Sequence, residues 1–419
     1  MKIFKFGGAS IKDAAGVINI AEVLKMTNEK NLVIVVSAMG KTTNLLEKVV
    51  TEYLDEDSKK CQEYVSEFKD YHTEILKGLF ENSNHSIYQK ISDLFNKLVS
   101  FLDSNKSKNH AFVYDQVVSY GEMVSSTIVS NYLSEIGLNN EFLDVRKCIK
   151  TDANFRDANV DWEATQKKIL KKVKPAGITI TQGFLGSETT NNFTTTLGRE
   201  GSDYTAAIFA YCLNSENVTI WKDVPGVLNA DPRYFTQTML LNHISYREAI
   251  ELAFYGASVI HPKTLQPLQR KEIPLYVKSF LNPTAPGTCV GKGATLDPMT
   301  SCFILKKGQV LISLSSLDFS FMMEDNIGDV FKWLHQYKMK VELIQNSAIS
   351  FSVCVNDKFN NLEALLAKLR EKFSVKWNEN VTLYTIRHFN PIEVKALAEN
   401  KNVLLKQESK ETVQLVIKE

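Results

Sequence analysis

The chain lacks any run close to the ~20 apolar residues that span a bilayer, and no signal-peptide core precedes its first strand-like segment, Ile3-Phe4-Lys5-Phe6. A cytoplasmic protein without membrane contact is expected. Charge of either sign is not in excess. Against 49 Lys and Arg stand 48 Asp and Glu, a formal net charge of +1, so no nucleic-acid partner is expected. The six cysteines (Cys61, Cys148, Cys212, Cys289, Cys302 and Cys354) form no CxxC pair, and four lie in apolar or strand-like runs. That pattern fits reduced, buried thiols and excludes a disulfide scaffold. There is no HExxH and no paired Cys/His spacing, hence no expected protein-built metal site. No tract is low in complexity.

What is present is long enough for two or three domains, at 419 residues. Residues 1–280 alternate strand and helix signals. Leu32-Val-Ile-Val-Val36 is a continuous apolar run, as for a strand buried on both faces. Val17, Ile20, Ala21 and Leu24 mark one helix face, and Ile87, Ile91, Leu94, Leu98 and Phe101 another; 115–133 reads as a third helix. Such alternation predicts an α/β fold, a mostly parallel sheet sandwiched by helices. Ligands then bind beyond the carboxyl ends of the strands. Segment 281–300, with Pro283, Pro286, Gly287, Gly291, Gly293 and Pro298, reads as a domain boundary. Beyond it, strand signals at 310–314, 340–345, 349–355 and 381–386 and helical stripes at 327–334 and 362–369 give the order βαββαβ of a ferredoxin-like module. A shorter set at 302–306, 391–399, 402–406 and 412–417 suggests a second, reduced copy.

The most informative stretch is Thr194-Thr-Thr-Leu-Gly-Arg-Glu-Gly-Ser-Asp203, between a strand-like segment (177–184) and a helix-like one (204–213). A helix start with two glycines favours an anion, and the Arg199 fork suits a carboxylate or phosphate. Ser202 or Asp203 would satisfy a plain cap. Lys5-Phe-Gly-Gly-Ala-Ser10 ends the first strand with a lysine and bare backbone N–H groups, again suited to phosphate. Ser37-Ala-Met-Gly-Lys-Thr-Thr43 looks like half a Walker A loop, but Val35 stands where its first glycine belongs, which excludes a P-loop. Thr43 and Asn44 remain either ligand contacts or N-caps. Glu122 lies in an apolar helix and needs a partner, either a substrate ammonium or an internal arginine. The turn Trp221–Arg233 gathers Lys222, Asp223, Asp231 and Arg233. His261, before Pro262, reads as a helix cap.

Together, and in this order, Lys-Phe-Gly-Gly-x-Ser, Val-Ser-Ala-Met-Gly-x-Thr-Thr, Gly-Glu, Thr-Thr-Leu-Gly-Arg-x-Gly-Ser-Asp, Lys-Asp-Val-Pro-Gly-(x)4-Asp-Pro-Arg and Gly-Ala-x-Val-Ile-His-Pro resemble the aspartate kinases of the amino-acid kinase family. The resemblance covers essentially the whole chain, because that family carries C-terminal ACT domains of βαββαβ type. It implies a catalytic domain over 1–285 and an ACT region over 300–419, with a first ACT at about 308–388 and a second from 302–306 plus 389–418. It also implies transfer of the ATP γ-phosphoryl group to the β-carboxylate of L-aspartate, the first step towards lysine, threonine, methionine and isoleucine. Lys5 would meet the transferring phosphoryl oxygens, and Gly7, Gly8 and Ser10 would cradle phosphates. Asp203 would orient Lys5. Arg199 would hold the substrate α-carboxylate and Glu122 its ammonium, with Thr43 and Ser202 contacting the substrate. Lys222, Asp223 and Arg233 would line the nucleotide, and Mg²⁺ would ride on the ATP phosphates. A lysine or threonine effector could sit at Met323, Asp325, Asn326 and Ile327, where the plainer reading is a cap at Asp325 or Asn326. The ACT region would build a homodimer.

Four departures stand out. Ala9 replaces a common threonine. Glu200 replaces a common glycine, and since an inward acid would repel phosphate it is expected to face outward. Ser258 stands where some members carry a nucleotide lysine, a charge that Lys222 or Lys263 would supply. The second ACT copy looks cut short of its last helix and strand. The rival readings are a kinase of this fold acting on glutamate or acetylglutamate, and an ACT-based sensor with a silent kinase domain. A fused homoserine dehydrogenase is not expected at this length.

Overall fold

The computed structural model describes residues 1–257, 260–317 and 320–418, and the chain divides into two compact units. The first comprises Met1–Val227, Leu240–Ile250 and Val259–Asp297; the second comprises Leu228–Met239, Glu251–Ser258 and Pro298–Glu419.

In chain order the first unit runs β1 (Lys2–Phe6), α1 (Ala14–Thr27), β2 (Asn31–Val36), α2 (Thr42–Leu54), α3 (Ser58–Leu79), α4 (Ser86–Ser104), α5 (His110–Glu135), β3 (Asn140–Leu143) and β4 (Lys150–Thr151). It continues with α6 (Trp162–Lys172), β5 (Gly177–Gln182), β6 (Leu185–Glu188), β7 (Thr194–Thr196), α7 (Gly201–Leu213), β8 (Val218–Lys222) and β9 (His243–Ser245). Helix α8 (Tyr246–Tyr255), α9 (Pro262–Arg270), β10 (Leu275–Ser279), β11 (Thr288–Gly291) and β12 (Leu296–Asp297) follow.

Among the described residues, nine strands form one sheet in the order β12-β9-β11-β10-β8-β1-β2-β5-β3, and β4, β6 and β7 form a small second one. The run from β10 to β3 is parallel throughout. Strand β2 is apolar and buried from Leu32 to Val36, as in a sheet covered on both sides. Side chains alternate across β1: Phe4 and Phe6 enter the core shared with α1 to α5, and Lys5 between them turns to the opposite face. That face is the one packed by α7, so Lys5 meets the helix's first turn.

Segment 281–300, read as a boundary, contains the division, which falls between Asp297 and Pro298; its earlier part carries β11 and β12, which extend the first sheet. Its prolines and glycines serve the turns between short strands.

The second unit adds β13 (Cys302–Ser316), α10 (Glu324–Gln336), β14 (Lys340–Asn346), β15 (Ser350–Asn356), α11 (Leu362–Arg370), β16 (Phe373–Arg387), α12 (Pro391–Ala398), β17 (Asn402–Glu408) and β18 (Thr412–Lys418). They make one six-stranded sheet, β14-β15-β13-β16-β18-β17. Here β13 and β16 are double-length. The second half of β13 pairs with the first half of β16, Leu311 to Asn378 through Ser316 to Phe373, and with β15, which completes one ferredoxin-like module. That module closes on Phe373–Asn378. The expected closing strand 381–386 belongs to the other module, where it pairs with Cys302–Lys306 and with β18. The second module thus has its fourth strand, supplied by 302–306 from earlier in the chain. It takes the order β13-β16-β18-β17, matching β16-β13-β15-β14 in the first. Register shifts between Lys306 and Leu311 mark the point where β13 passes from one module to the other.

Candidate active site

A cavity of about 320 Å³ opens at the carboxyl ends of the parallel strands. Its wall comes from the loops after β1 (Gly8), β2 (Ser37, Ala38, Gly40) and β5 (Phe184), the first turn of α2 (Thr43) and the last residue of β8 (Lys222), with Lys5, Glu122 on α5, and Gly198, Glu200, Gly201, Ser202 and Asp203 at the start of α7. The cavity therefore lies at the strand ends, the place where parallel alternation puts a ligand site.

One end of the wall is an ionic cluster. Lys5 Nζ lies 2.6 Å from Asp203 Oδ1, and Lys222 Nζ lies 3.6 Å from Asp203 Oδ2. Burial alone would raise the Asp203 carboxyl, but the Lys5 and Lys222 charges outweigh it and hold the group below the usual carboxylate range. Its place in the first turn of α7 adds to this, since negative charge is favoured there. Two lysines on one aspartate leave a net positive charge in a water-poor setting, the condition for holding phosphoryl oxygens.

Glu122 forms a contrasting part. It is 3% exposed. Its Oε1 accepts a long hydrogen bond from Ala38 N (3.4 Å), and Oε2 has no partner. Burial pushes its carboxyl up to about 8, against the lowering effect of the Ala38 N–H and the Lys5 charge. Among the described residues no arginine pairs with it. The backbone is built for close approach here: a Cβ on Gly8 would lie 2.5 Å from Ala38 O.

The loop before α7 departs from expectation. Glu200, in left-handed backbone (φ 52°), faces the cavity rather than solvent, and its Oε2 is buried without a partner. Arg199 is exposed, lies outside the cavity wall and has no hydrogen bond or ion pair among the described residues. The left-handed turn at Glu200 reverses the directions that the sequence order suggests.

Of the other expected residues, Thr43 and Ser202 line the cavity. Neither Thr43 nor Asn44 is a cap, since α2 starts at Thr42 behind Lys41, without a side-chain cap bond. Ser10 is buried with an unpartnered hydroxyl and is not in the wall; Gly7 packs beside Lys5 Nζ and Trp221 O. Lys263 is engaged elsewhere, donating to Asp157 Oδ1 (2.7 Å) and Leu197 O (3.0 Å). Asp223 is exposed. Arg233 falls in the second unit, where it pairs with Asp231. Ser258 lies outside the described residues. His261 caps α9 by accepting from Lys263 N, as expected. In the second unit α10 starts at Glu324 behind Met323, so neither Asp325 nor Asn326 is its cap; Met323 and Asp325 are exposed, and Ile327 packs on the module's core. Phe184, Ser37 and Ala38 join the wall without having been singled out from sequence, because they contribute backbone and shape rather than charge.

Residues 1–279 match the Amino acid kinase family. Lysine-sensitive aspartokinase 3 of Escherichia coli (strain K12) is 32% identical over 359 residues, covering 84% of this chain and 78% of that protein. The crystal structure of E. coli aspartokinase III in complex with lysine and aspartate superposes with a TM-score of 0.82 at 28% identity, covering 99% of this chain and 95% of that one. The same enzyme in complex with aspartate and ADP gives 0.81 at 28% identity, covering 100% and 96%. With a lysine–aspartate–lysine cluster and an unpartnered carboxylate in one strand-end cavity, and relatives of this extent, the chain belongs to the amino acid kinase family, in its aspartokinase branch.

Proposed function

We propose that this chain transfers the γ-phosphoryl group of ATP to the β-carboxylate of L-aspartate. The carrying observation is that one cavity holds both the Lys5–Asp203–Lys222 cluster and the buried, unpartnered Glu122 Oε2. In the reaction an oxygen of the substrate β-carboxylate bonds to the γ-phosphorus, the bond to the bridging oxygen breaks, and ADP leaves. The nucleophile is already ionised, so no general base is required and catalysis consists of positioning and charge stabilisation. Lys5 meets the oxygens of the transferring group. Asp203 holds Lys5 in place, and Lys222 adds charge on the nucleotide side. Glu122 accepts the substrate ammonium, which supplies the positive charge its burial lacks. Arg199, without a partner among the described residues, turns to the α-carboxylate when substrate is present. Mg²⁺ carried on the nucleotide phosphates would neutralise part of their charge. Asp203 is occupied by two lysines, and among the described residues no group of three His, Cys, Asp or Glu converges to hold a metal.

Hydroxylamine trapping of the acyl phosphate, with aspartate and glutamate run in parallel, tests this. Hydroxamate is expected from aspartate; turnover of glutamate alone, or binding of amino acids without any turnover, overturns the proposal in favour of a glutamate kinase or a sensor. In the same assay Lys5→Ala is expected to lower kcat by at least ~10³-fold, as for loss of a charge at the developing phosphoryl centre. Arg199→Ala is expected mainly to raise the aspartate KM.

We further propose that the second unit is a regulatory pair of ACT modules that binds an end-product amino acid, with lysine the first candidate, and joins two copies into a homodimer. Its two interlocked ferredoxin-like halves support this, as does the apolar surface that Leu317, Phe321, Met323, Phe331, Ile344 and Ile349 leave exposed. Inhibition assays with lysine, threonine and methionine, with sedimentation of the full chain, decide both points.

A further inference from the structure

Asp115 precedes Glu122 by two turns on α5, so the two carboxylates share one face of that helix. It is fully buried. Among the described residues it forms no ion pair, and the Arg156 guanidinium beside it stacks on the Tyr114 ring at 4.3 Å instead. Its oxygens accept from Thr196 N (2.8 Å), Thr196 Oγ1 (2.7 Å) and Arg156 N (3.1 Å to each oxygen). A buried carboxylate is costly, and a well-packed apolar side chain would serve stability better. Burial accordingly pushes this group up to about 6, even against the Thr196 and Arg156 hydrogen bonds.

What the carboxylate gains is position. Thr196 ends β7, three residues before Arg199. Each of the next two residues is held as well. Leu197 O accepts from Lys263, and Asp157 packs so closely on Gly198 that a Cβ there would lie 2.4 Å from Asp157 Oδ1. Asp157 is the neighbour of Arg156 and is itself bound by Lys263. The turn that presents Arg199 and Glu200 is thus anchored on one side to α5 through Asp115.

We infer that Asp115 is a positioning residue for substrate recognition: it locks the Leu197–Glu200 turn to the helix that carries Glu122 and so sets the spacing between the groups that read the two charged ends of the amino acid. This rests on the assignment of Arg199 and Glu122 to the α-carboxylate and the ammonium.

The test is steady-state kinetics on the full chain with Asp115→Asn, Arg199→Ala and the double variant. In Asp115→Asn a donor replaces one acceptor oxygen and faces the N–H groups it should receive. The expected result is an aspartate KM raised about tenfold or more, with the ATP KM within about twofold and kcat within about threefold. In the Arg199→Ala background, Asp115→Asn should add less than about twofold, because both changes remove the same contact. An unchanged aspartate KM in Asp115→Asn, equal rises in both KM values, or additive effects in the double variant overturn the inference. If Arg199→Ala itself leaves the aspartate KM unchanged, the site assignment fails instead, whatever Asp115→Asn does. Should Asp115→Asn not fold, Thr196→Val decides. It removes only the Oγ1 donor at constant shape, and an aspartate-specific KM rise of about two- to fivefold is expected; no rise overturns the inference.

Discussion

Glu122 joins two properties that oppose each other, a carboxylate and a nearly complete absence of partners. An acid whose native pKa lies above its unfolded value binds its proton more tightly when folded, so ionising it opposes folding. With values of 4.5 unfolded and about 8 folded, the penalty is absent below about pH 4.5, grows as pH rises, and is complete above about pH 8. Glu122→Gln keeps an acceptor for Ala38 N and removes the penalty. The substrate-free variant is therefore expected to melt higher than wild type, by little at pH 5 and by on the order of 2–4 kcal/mol at pH 8.5. Thermal unfolding at the two pH values measures it; a gain independent of pH, or a loss at pH 8.5, would show that Glu122 is not strained by burial. At this scale the sequence is readable where a charge sits in an otherwise apolar element, because such a residue has few structural explanations. Lys5, Glu122 and Asp203 are of that kind. The directions of Arg199 and Glu200 are not readable, since a left-handed backbone at a glutamate follows from the surrounding packing and not from residue type. Asp115 is hidden for another reason: its partners are Arg156 and Thr196, 41 and 81 residues away, reached largely through main-chain N–H groups.

Helix α7 shows what the elements contribute. Its first turn must bring Asp203 to Lys5, and it does so by lying directly on the end of β5. A Cβ on Gly183 would sit 2.5 Å from Ser202 Cβ and 2.8 Å from Ser202 Cα. Gly183→Ala must push the helix start away from the sheet. Overpacking of this kind costs about 1–3 kcal/mol, and a displacement near 1 Å of the reacting groups costs about 10²-fold in kcat. Kinetics and melting of this variant, measured side by side, are expected to show both losses; near-normal kcat would mean that the Lys5–Asp203 contact does not depend on this packing. The strands around the site are plain in the sequence, because a parallel sheet covered on both faces demands continuous apolar runs such as 32–36. The long strands β13 and β16 are less so. They pair with each other throughout, but each has a second partner over one half only, so its two halves carry different burial patterns and read as separate strands.

For the whole molecule, the chain order misleads about which segments fold together. The turn after β8 reads as part of the catalytic half, yet 228–239 joins the second unit. The reason lies in one small apolar contact set: Phe235 packs on Phe303 with ring centroids 5.3 Å apart, Ala230 forms a parallel bridge to Phe303, and Phe303 N donates to Asn229 O at 2.7 Å. Phe235 also borders the core made by Tyr384, Ile386, Val413, Leu415 and Ile417. A sequence read by local periodicity has no means of seeing a pairing between residues some seventy positions apart in a turn and a strand, so this segment is assigned by its neighbours. Phe235→Ala tests the structural assignment. Phe235 is only half-buried, so a cost below the ~3–5 kcal/mol of truncating a buried aromatic is expected, about 1–3 kcal/mol. Hydrogen exchange should rise in 302–306, 384–387 and 412–418 and remain unchanged in β1, β2 and β5. Equal loss of protection in those three strands would mean that the segment is held by the first unit's fold, and unchanged exchange everywhere would mean that the Phe235–Phe303 contact adds nothing to the second.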